Sequence, residues 1–420
     1  MGHTLAEKIL MKNTGEKNLT PGDIVIASPQ CCMVHDIYTS FLKRALNDMH
    51  VKKFVHPERM VLVFDHLMPT NQASTDSIHF KDGLEIAEKY GVKNVFKGHG
   101  ISHSLMHEMR FAKPGEIAIA TDSHTTTYGG AGCFCTGVGH TEMAATLATG
   151  EIWFKVPGAI KIVLDGKFQK GVGAKDIILK ILGDIKSDGG QYKSMEFTGS
   201  AVKNMSMNER FTIANMALEA GAKVGLFEAD EKTAAYYDMD LKDIEWIHID
   251  EDANYERVLY YDVTNLEPQL SCPQGVDNVH PISEVENTPL NEVYIGSCTN
   301  GSIEDMAMAA HILEGKKVNP YTKVVVIPAT IQVYKEALKK GYISTFIKAG
   351  AMVSHPCCGL CCGQPYGLMS DGEVVLGTNN RNFIGRMGTK KSLIYLSSPA
   401  VAAYSALNGK ISDPRKDLVC

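Results

Sequence analysis

An α/β fold with more than one domain is predicted by two features of the sequence. Short apolar runs alternate with amphipathic stretches along the first 150 residues, which is the pattern of strands and helices in α/β proteins. Polar residues follow several of these runs, and the carboxyl ends of strands are where open α/β sheets bind ligands. At 420 residues, the chain is long enough to form two or three domains with buried cores.

In the first 150 residues, the apolar runs predict strands and the amphipathic stretches between them predict helices. The predicted strands are Asp23–Ala27, Met60–Phe64, Asn94–Phe96 and Glu116–Ala120. The predicted helices are Thr39–Met49, Ser77–Tyr90 and Thr141–Thr149. The polar clusters that follow the strands are Asp65-His66, His99 with His103, and Asp122-Ser123-His124. Three clusters at equivalent strand ends indicate a common site more strongly than any one of them alone.

A second unit is predicted to begin near Val156-Pro157-Gly158, and a third after the loop Val276–Pro289. The second has strands Ile160–Leu164, Ser194–Phe197 and Lys223–Glu228 and helices Ala174–Ile185 and Asn208–Ala220, followed by a less regular stretch from Asp230 to Pro268. The third has strands Glu292–Ile295, Lys323–Ile327 and Glu373–Leu376 and helices Ile303–Leu313 and Ile331–Lys340. The predicted domains are therefore residues 1–157, 158–285 and 286–420.

Composition and charge narrow the classes of function. The apolar fraction is 44%, the charged fraction is 21% and the net charge is −6, which argues against nucleic acid or an anionic membrane as a partner. No apolar run reaches the roughly 18 residues of a transmembrane helix, and the N-terminus lacks the apolar core of a signal peptide. A cytoplasmic location is expected, where eleven cysteines are more often metal ligands or buried small residues than disulfides.

The cysteine-rich stretch His355–Gln364 carries the most specific chemistry. Within it, Cys358 and Cys361 have the C-x-x-C spacing that lets two thiolates reach one metal centre. A lone C-x-x-C fits zinc, a redox disulfide and an iron–sulfur cluster. Cys298 follows a predicted strand about 60 residues earlier and adds a third thiolate. Three cysteines are one short of a closed zinc site, whereas a cubane iron–sulfur cluster with three cysteine ligands keeps one iron open.

Four segments resemble motifs of the aconitase superfamily, and they occur in the same order: TDSHTTTYGGAG, GSCTNGSIEDM, CGLCCGQ and NNRNFIGRMG. The resemblance covers essentially the whole chain, whose length is similar to that of the large subunit of the two-chain members, 3-isopropylmalate dehydratase and homoaconitase. It implies three α/β/α domains around a central iron–sulfur cluster, without the swivel domain. It also implies a [4Fe-4S] cluster with one open iron and three ligands, Cys298, Cys358 and Cys361. Cys357 and Cys362 have no ligand counterpart in the family and are expected to be packing residues.

The resemblance implies catalytic roles for residues at two predicted strand ends. Asp65-His66 is similar to a family pair in which the carboxylate orients an imidazole that protonates the departing hydroxyl. His103 lies in a G-x-G-I-x-H segment whose histidine, in the family, helps to place that hydroxyl and the iron-bound water. On sequence alone, an Asp-His pair at a strand end is more often structural.

The segment Thr121–Thr125 resembles another family motif. The resemblance implies that Asp122 and His124 support the iron site by hydrogen bonds and that Ser123 contacts a substrate carboxylate. A Ser-His-Asp hydrolase is the alternative interpretation of these residue types. It is excluded because adjacent side chains at a strand end point apart and cannot form the required relay.

Two further segments supply implied cluster and substrate contacts. Asn215 and Glu219 are four residues apart on one predicted helix and therefore share a face. The resemblance implies that both reach toward the cluster and its bound hydroxyl, and that Asn380 lies near the cluster. Arg381 and Arg386 supply two guanidinium groups that suit a di- or tricarboxylate. Outside this family, Glu219 and the Arg pair would be solvated surface residues.

The implied function is that of a hydro-lyase that dehydrates a 2-hydroxy di- or tricarboxylate and rehydrates the unsaturated acid. The leading substrate is that of 3-isopropylmalate dehydratase, followed by homoaconitate. 2,3-Dimethylmalate is third, because His35-Asp36 is followed here by Ile37-Tyr38-Thr39 and not by the small residues usual in similar family segments.

The implied partner is a small subunit. In the family, the base is a Ser beside an Arg on the swivel domain, so a small subunit that carries this domain and both residues is expected. Two other classes of function stay open. A structural zinc or disulfide protein would be colourless, and an RNA-binding protein would bind RNA with a steep dependence on salt.

Overall fold

The computed structural model describes residues 2–364 and 366–417, which form two compact units. Unit 1 consists of the described residues of Met1–Lys97, Met106–Asp165 and Gly190–Tyr261. Unit 2 consists of the described residues of Gly98–Leu105, Gly166–Gly189 and Asp262–Cys420. The predicted domains 1–157, 158–285 and 286–420 stay a prediction. Among the described residues, no helix combines the length and the apolar character needed to cross a membrane.

The first part of the chain forms a parallel sheet flanked by helices. Up to residue 155, the helices are α1 (Leu5–Thr14), α2 (Thr39–Asp48), α3 (Asp76–Tyr90), α4 (Ser102–Glu108) and α5 (His140–Thr149). The strands are β1 (Ile24–Ala27), β2 (Cys31–His35), β3 (Met60–Phe64), β4 (Asn94–Lys97), β5 (Ile117–Ala120), β6 (Phe134–Gly137) and β7 (Ile152–Lys155). The five strands β4-β3-β2-β5-β6 are parallel in that order, and β1 pairs with β7 in a separate antiparallel ribbon. Each strand and helix predicted in this part forms within two residues of its expected limits.

Strand β2 is the central strand of this sheet, and it is not among the strands predicted from the sequence. All five of its residues are buried. A parallel strand covered on both faces has no alternation of apolar and polar residues, and this run ends in the polar His35. Because β2 lies between β3 and β5, the carboxyl ends of three parallel strands are neighbours.

The next part of the chain contributes a second sheet. From residue 158 to 262, the strands are β8 (Gly158–Asp165), β9 (Lys193–Thr198), β10 (Val224–Phe227) and β11 (Arg257–Asp262). The helices are α6 (Ala174–Ile185), α7 (Ser200–Asn204), α8 (Met207–Ala217), α9 (Glu231–Tyr237) and α10 (Leu241–Ile244). The sheet order is β10-β9-β8-β11, and its first three strands are parallel.

Two predictions for this part need correction. Helix α8 does not continue to Ala220: it ends at Ala217, and a 3₁₀ turn leads to Gly221, whose φ of +81° suits a glycine that terminates a helix. The stretch predicted to be less regular, from Asp230 onward, forms α9, α10 and β11. Asp230 caps α9 by accepting the backbone N–H groups of Lys232 and Thr233.

The last part of the chain builds the sheet of unit 2. Its strands are β12 (Gln269–Ser271), β13 (Val279–Pro281), β14 (Glu292–Gly296), β15 (Lys323–Ile327), β16 (Met352–Val353), β17 (Val374–Gly377) and β18 (Leu393–Leu396). Its helices are α11 (Ile282–Val285), α12 (Ser297–Asn300), α13 (Ile303–Leu313), α14 (Ile331–Lys339), α15 (Tyr342–Ala349) and α16 (Pro399–Asn408). The order of strands in this sheet is β13-β12-β18-β17-β14-β15-β16. The five strands β18, β17, β14, β15 and β16 are parallel to one another. Side chains of β14, β15, α13 and α16 share one apolar core.

A buried carboxyl at the start of β14 makes the stability of unit 2 depend on pH. The side chain of Glu292 is fully buried, and its Oε2 lies 2.8 Å from Nζ of Lys323, which is 37% exposed. Burial raises the pKa of Glu292 from 4.5 to about 7. The folded protein therefore binds a proton here more tightly than the unfolded chain, and this carboxyl lowers the stability progressively as pH rises from 4.5 to about 7.

Replacing Glu292 by Gln removes this titration. The melting temperature of Glu292→Gln minus that of wild type should increase from about pH 5 to pH 8. The reason is that only wild type has to ionise a buried carboxyl over this range. Thermal unfolding followed by circular dichroism measures the difference. The control is Glu336→Gln, which changes an exposed carboxyl on α14 that pairs with Lys340. Identical pH profiles for Glu292→Gln and wild type would contradict the prediction.

Candidate functional site

In unit 1, polar clusters lie at the carboxyl ends of three neighbouring strands. Strands β3, β2 and β5 are parallel neighbours, and they end just before Asp65-His66, within His35-Asp36 and just before Asp122-Ser123-His124, respectively. The carboxyl ends of parallel strands meet at one edge of a sheet, which is the usual ligand edge in α/β folds. We call His35, Asp36, Asp65, His66 and Asp122 the imidazole–carboxylate cluster.

His66 is held by carboxylates on one side of its ring. Asp65 Oδ1 lies 2.8 Å from His66 Nδ1, and both side chains are buried. Asp36 fixes the adjoining backbone, because its two oxygens accept the N–H groups of His66 at 3.1 Å and Leu67 at 2.8 Å. A carboxylate on Nδ1 fixes the ring orientation and favours the tautomer with a proton there. Nε2 of His66 then faces Asp122, whose Oδ2 is 3.6 Å away.

His35 belongs to the same cluster. Its ring stacks on that of His66, with 4.3 Å between ring centres and 27° between the planes. Its Nε2 lies 3.5 Å from Asp122 Oδ2, so one carboxylate oxygen faces both imidazoles. His35 is not among the predicted site residues, because its segment departs from the family pattern and no strand is predicted before it. A buried apolar run that ends in His-Asp is the signal that could have found it.

The charge of this cluster changes near neutral pH. Burial, and next the neighbouring carboxylate of Asp65, raises the pKa of Asp36 to about 7. His66 and the backbone N–H groups of Leu67 and His66 act in the opposite direction. Near neutral pH, the carboxyl groups of Asp36, Asp65 and Asp122 therefore carry together less than three negative charges.

A second imidazole–carboxylate pair follows strand β5. Asp122 Oδ1 accepts the backbone N–H of His124 at 2.8 Å. His124 Nε2 lies 2.8 Å from Glu219 Oε1, and both side chains are buried. Asn215 Nδ2 donates to Thr127 Oγ1 at 2.8 Å. Asn215 and Glu219 therefore both contact the segment after β5, although only Asn215 lies in α8.

The Thr- and Gly-rich sequence after β5 is explained by tight packing. Thr126 Oγ1 donates to the carbonyl oxygen of Asn215 at 3.1 Å, and Thr127 Oγ1 donates to that of His124 at 2.6 Å. At Gly129, a Cβ would overlap the carbonyl oxygen of Gly225 in β10, so no larger residue fits. These contacts hold His124 against α8 and β10.

Ser123 lines a cavity of about 380 Å³ in unit 1. The other residues that line this cavity include Asp122, Tyr38, Glu142 and Lys223. Burial lowers the pKa of Lys223, with the Glu142 carboxylate acting in the opposite direction. The volume is within the range of small-ligand pockets, which starts near 300 Å³.

In unit 2, the first candidate ligand, Cys298, is carried by a constrained turn. It follows Gly296 at φ +153° and Ser297 at φ +80°. The left-handed φ of Ser297 is uncommon for a residue with a side chain and persists where the surroundings enforce it. Thr378 Oγ1 provides such a restraint, since it accepts the N–H of Gly296 at 2.9 Å and donates to its carbonyl oxygen at 3.0 Å.

Cys358 and Cys361 lie on one tight turn. Gly359, between them, has φ +52°, and the N–H of Cys361 donates to the carbonyl oxygen of Cys358 at 3.2 Å. The pKa of Cys358 is raised well above its ordinary value by hydrogen bonds to the thiols of Cys361 and Cys362 and by burial. Cys362 also donates its thiol to the carbonyl oxygen of Gly359 at 3.2 Å.

The amide of Asn380 joins the two cysteine-bearing segments. Its Nδ2 donates to Cys298 Sγ at 3.3 Å, and its Oδ1 accepts from Cys361 Sγ at 3.4 Å. Arg386 Nε donates to the carbonyl oxygen of Cys361 at 2.6 Å. Three segments that are separate in the sequence are thereby linked by direct contacts among Cys298, Cys361, Asn380 and Arg386.

The chemistry of these donors fits an iron–sulfur cluster. Cys298, Cys358 and Cys361 offer sulfur ligands, which suit zinc and iron–sulfur centres. A thiol must lose its proton to bind a metal, and burial opposes the thiolate unless positive charge lies nearby. The crowded thiols around Cys358 are therefore matched to a cationic centre. Because zinc shares this preference, the donor set alone does not distinguish the two metals.

His103 lies in helix α4 and in a segment of unit 2 that packs beside the loop after β15. The N–H of Ile101 donates to the carbonyl oxygen of Ala329 at 2.8 Å. His355 Nε2 lies 2.7 Å from the carbonyl oxygen of Gly98, and His355 precedes the cysteine turn. His103 itself is buried. The segment G-x-G-I-x-H thus contacts His355, which lies just before the cysteine turn.

The Arg-containing segment combines a buried anchor with a partly exposed surface. Asn382 is buried, and its Nδ2 donates to the carbonyl oxygen of Cys272 at 2.6 Å. The guanidinium of Arg381 lies 5.7 Å from the ring centre of Phe383, whose side chain is 46% exposed. Cation–π contacts of this kind orient a guanidinium without neutralising it. This contact therefore orients the Arg381 guanidinium beside a partly exposed aromatic ring.

The predicted site residues fall into two sets. Unit 1 contains Asp65, His66, Asp122, Ser123, His124, Asn215 and Glu219. Unit 2 contains His103, Cys298, Cys358, Cys361, Asn380, Arg381 and Arg386. Within each set, the contacts given above link most members. The roles assigned to them stay predictions.

The chain is similar over its whole length to known proteins. A family model described as "Aconitase family (aconitate hydratase)" matches residues 7–292 and 283–409. A "3-isopropylmalate dehydratase large subunit" of Elusimicrobium minutum is 46% identical, with 100% of both chains covered. A "3-isopropylmalate dehydratase large subunit 2" of Archaeoglobus fulgidus is 45% identical, again with 100% of both covered. A Pyrococcus furiosus protein with the name "3-isopropylmalate dehydratase large subunit 1" is 43% identical and covered to 99% on both sides.

One solved structure supports the fold. The crystal structure of Thermococcus kodakaraensis aconitase X in its holo form aligns with a TM-score of 0.50 and 10% identity. The alignment covers 91% of this chain and 94% of that one. At this identity, the likeness concerns the α/β fold alone.

Proposed function

Because the chain belongs to the Aconitase family, we propose that it is the large subunit of a 3-isopropylmalate dehydratase, a hydro-lyase. Relatives with that name are 43% to 46% identical and match at least 99% of both chains. One structural observation carries the proposal further. The amide of Asn380 lies between the thiols of Cys298 and Cys361, so that two cysteines distant in sequence belong to one site.

Cys298, Cys358 and Cys361 would hold a [4Fe-4S] cluster. When bound through three cysteines, such a cluster supplies a Lewis acid at its fourth, open iron. Asn380 would orient two of the three sulfurs through its amide. Second-shell hydrogen bonds of this kind fix ligand orientation and tune the centre.

His66 is the proposed general acid. Its Nε2 would hold the proton that passes to the departing hydroxyl, and Asp65 would keep Nδ1 protonated and the ring in place. Asp122, His124 and Glu219 form a hydrogen-bonded chain that would support the hydroxyl-binding side of the site. His103 is proposed to help place the same hydroxyl.

The substrate carboxylates are assigned to Arg381, Arg386 and the Ser123 hydroxyl. Guanidinium groups pair with carboxylates through two parallel hydrogen bonds, which fixes the orientation of a dicarboxylate. Asn215 is assigned to the hydroxyl side because its amide contacts Thr127, close to His124. These assignments suit a 2-hydroxy di- or tricarboxylate, and the choice of 2-isopropylmalate follows from the names of the relatives.

The proposed partner is a small subunit that carries the swivel domain with the catalytic Ser and Arg. The relatives above are named as large subunits, which supports a second chain. The proton on the neighbouring carbon would be removed by that Ser. We further propose that the complex works in the cytoplasm.

Activity should therefore require both chains. The chain purified anaerobically after reconstitution with iron and sulfide should be inactive alone, and it should dehydrate 2-isopropylmalate when its small subunit is added. Formation of the unsaturated acid, followed by ultraviolet absorbance, measures this. A panel with 2,3-dimethylmalate, which is dehydrated, and homoaconitate, whose hydration lowers the absorbance, tests the substrate. Turnover by the large subunit alone would contradict the two-chain proposal, and a clear preference for another acid would replace the substrate.

A further inference from the structure

Lys175 is a lysine buried inside unit 2. It occupies the apolar stripe of α6 together with Ile178, Leu179 and Leu182, at helical spacings of three, four and seven residues. Its side chain is 2% exposed. An ammonium group is buried at high cost unless it has compensating partners, so a lysine at this position requires an explanation.

The partners of Lys175 lie on the segment that leads into Asn380. Its Nζ donates to the carbonyl oxygens of Thr378 at 2.9 Å and Asn379 at 2.6 Å. Asn380 follows directly and contacts both Cys298 and Cys361. The two carbonyl groups are neutral, so they satisfy the hydrogen bonds of the ammonium group without balancing its charge.

The same segment also holds the turn that carries Cys298. Thr378 Oγ1 bonds to both the N–H and the carbonyl oxygen of Gly296, two residues before Cys298. Lys175 thus fixes a short stretch that touches both cysteine-bearing segments. Burial lowers the pKa of Lys175 to about 7, whereas the thiolates of Cys298 and Cys361, and next the carboxylates of Asp305 and Asp176, favour its charged form. Anionic sulfur is therefore the first of several counter-charges within electrostatic reach of Lys175.

We propose that Lys175 is a positioning residue for the cysteine site, which anchors the segment leading into Asn380 and supplies a buried positive charge within electrostatic reach of the sulfur ligands. This inference rests on the proposed function, because it takes Cys298, Cys358 and Cys361 as the cluster ligands. A cluster held by three thiolates is anionic, and a fixed cation nearby stabilises it and favours its reduced form.

The test compares charge-neutral and charge-retaining variants. Lys175→Met and Lys175→Gln remove the charge, and Lys175→Arg keeps it. Lys180→Met is the control, since Lys180 is an exposed residue of the same helix that pairs with Asp184 at 2.6 Å. Each protein is reconstituted anaerobically with iron and sulfide. Three quantities are measured: the melting temperature of the metal-free protein, the rate of iron loss to a chelator, and the midpoint potential of the cluster.

We expect Lys175→Met and Lys175→Gln to lose iron up to about 10-fold faster than wild type, the lower end of the range for outer-shell partners of metal ligands, because Lys175 acts through Asn380. Their midpoint potentials should be lower, because removal of a positive charge disfavours an added electron. Lys175→Arg and Lys180→Met should behave like wild type. The midpoint potential is the decisive measurement. A purely structural role would not lower it in the two neutral variants while leaving it unchanged in Lys175→Arg.

The outcomes separate this inference from the proposed function. If wild type assembles no cluster, the proposed function fails, and this inference fails with it. If wild type assembles a cluster and the neutral variants match it in iron loss and potential, only this inference is overturned. If the metal-free forms of both neutral variants lack the melting transition of metal-free wild type, Lys175 is required for folding and the inference is also overturned.

Discussion

Replacing Cys298, Cys358 or Cys361 by Ser should abolish cluster binding and activity. Each substitution removes one of three proposed sulfur ligands, and even outer-shell partners of metal ligands cost about 10- to 100-fold when removed. The activity of the two-chain complex should therefore fall below about one hundredth of wild type. The purified variants should lack the broad visible absorption and the bound iron and sulfide of reconstituted wild type.

Three other cysteines of unit 2 provide matched controls. Cys357 and Cys272 are buried, and Cys362 donates its thiol to the carbonyl oxygen of Gly359. Their Ser variants should keep the visible absorption and most of the activity. Loss of iron in Cys362→Ser together with its retention in Cys358→Ser would show that the ligand set is wrong. A colourless wild-type protein that binds zinc would favour the structural alternative.

Replacing His66 by Gln should lower kcat by about 10²- to 10⁴-fold, the usual contribution of a positioned general acid. The imidazole is buried, and Asp65 Oδ1 holds its Nδ1 at 2.8 Å, so its Nε2 is oriented for proton transfer. Gln preserves much of the volume but has no titratable proton at this position. The cluster absorption should be unchanged, because His66 is not one of the proposed sulfur ligands.

Steady-state kinetics and iron content of the His66→Gln complex test this prediction. His56→Gln is the control, since His56 is a partly exposed imidazole of unit 1 that pairs with Glu58. Asp65→Asn should also lower kcat, because an amide can donate to Nδ1 and so favour the wrong tautomer. A rise in KM with kcat unchanged in His66→Gln would instead assign this residue to substrate binding.

Local signals in the sequence predicted several elements closely. Helix α13 forms at Ile303–Leu313 as expected, because its apolar spacing follows a capping box between Ser302 and Asp305. Strand β15 and helix α6 also form at the expected residues, since a continuous apolar run and an amphipathic stretch are properties of the chain segment itself. Sequence similarity, by contrast, is what singled out Cys298, Cys358 and Cys361 as candidate cluster ligands, because spacing alone left zinc and a disulfide open.

The sequence by itself determined the α/β class, most strands and helices of the first 150 residues and the three candidate cysteines, because these follow from local periodicity and short motifs. Only the tertiary structure decided that Cys31–His35 is a central strand, that His35 stacks on His66, and that Asn380 joins two cysteine segments. It also decided that the Lys175 side chain is buried and not solvated. The physical reason is that burial and contacts between distant residues depend on how sheets and helices pack, which no local pattern records.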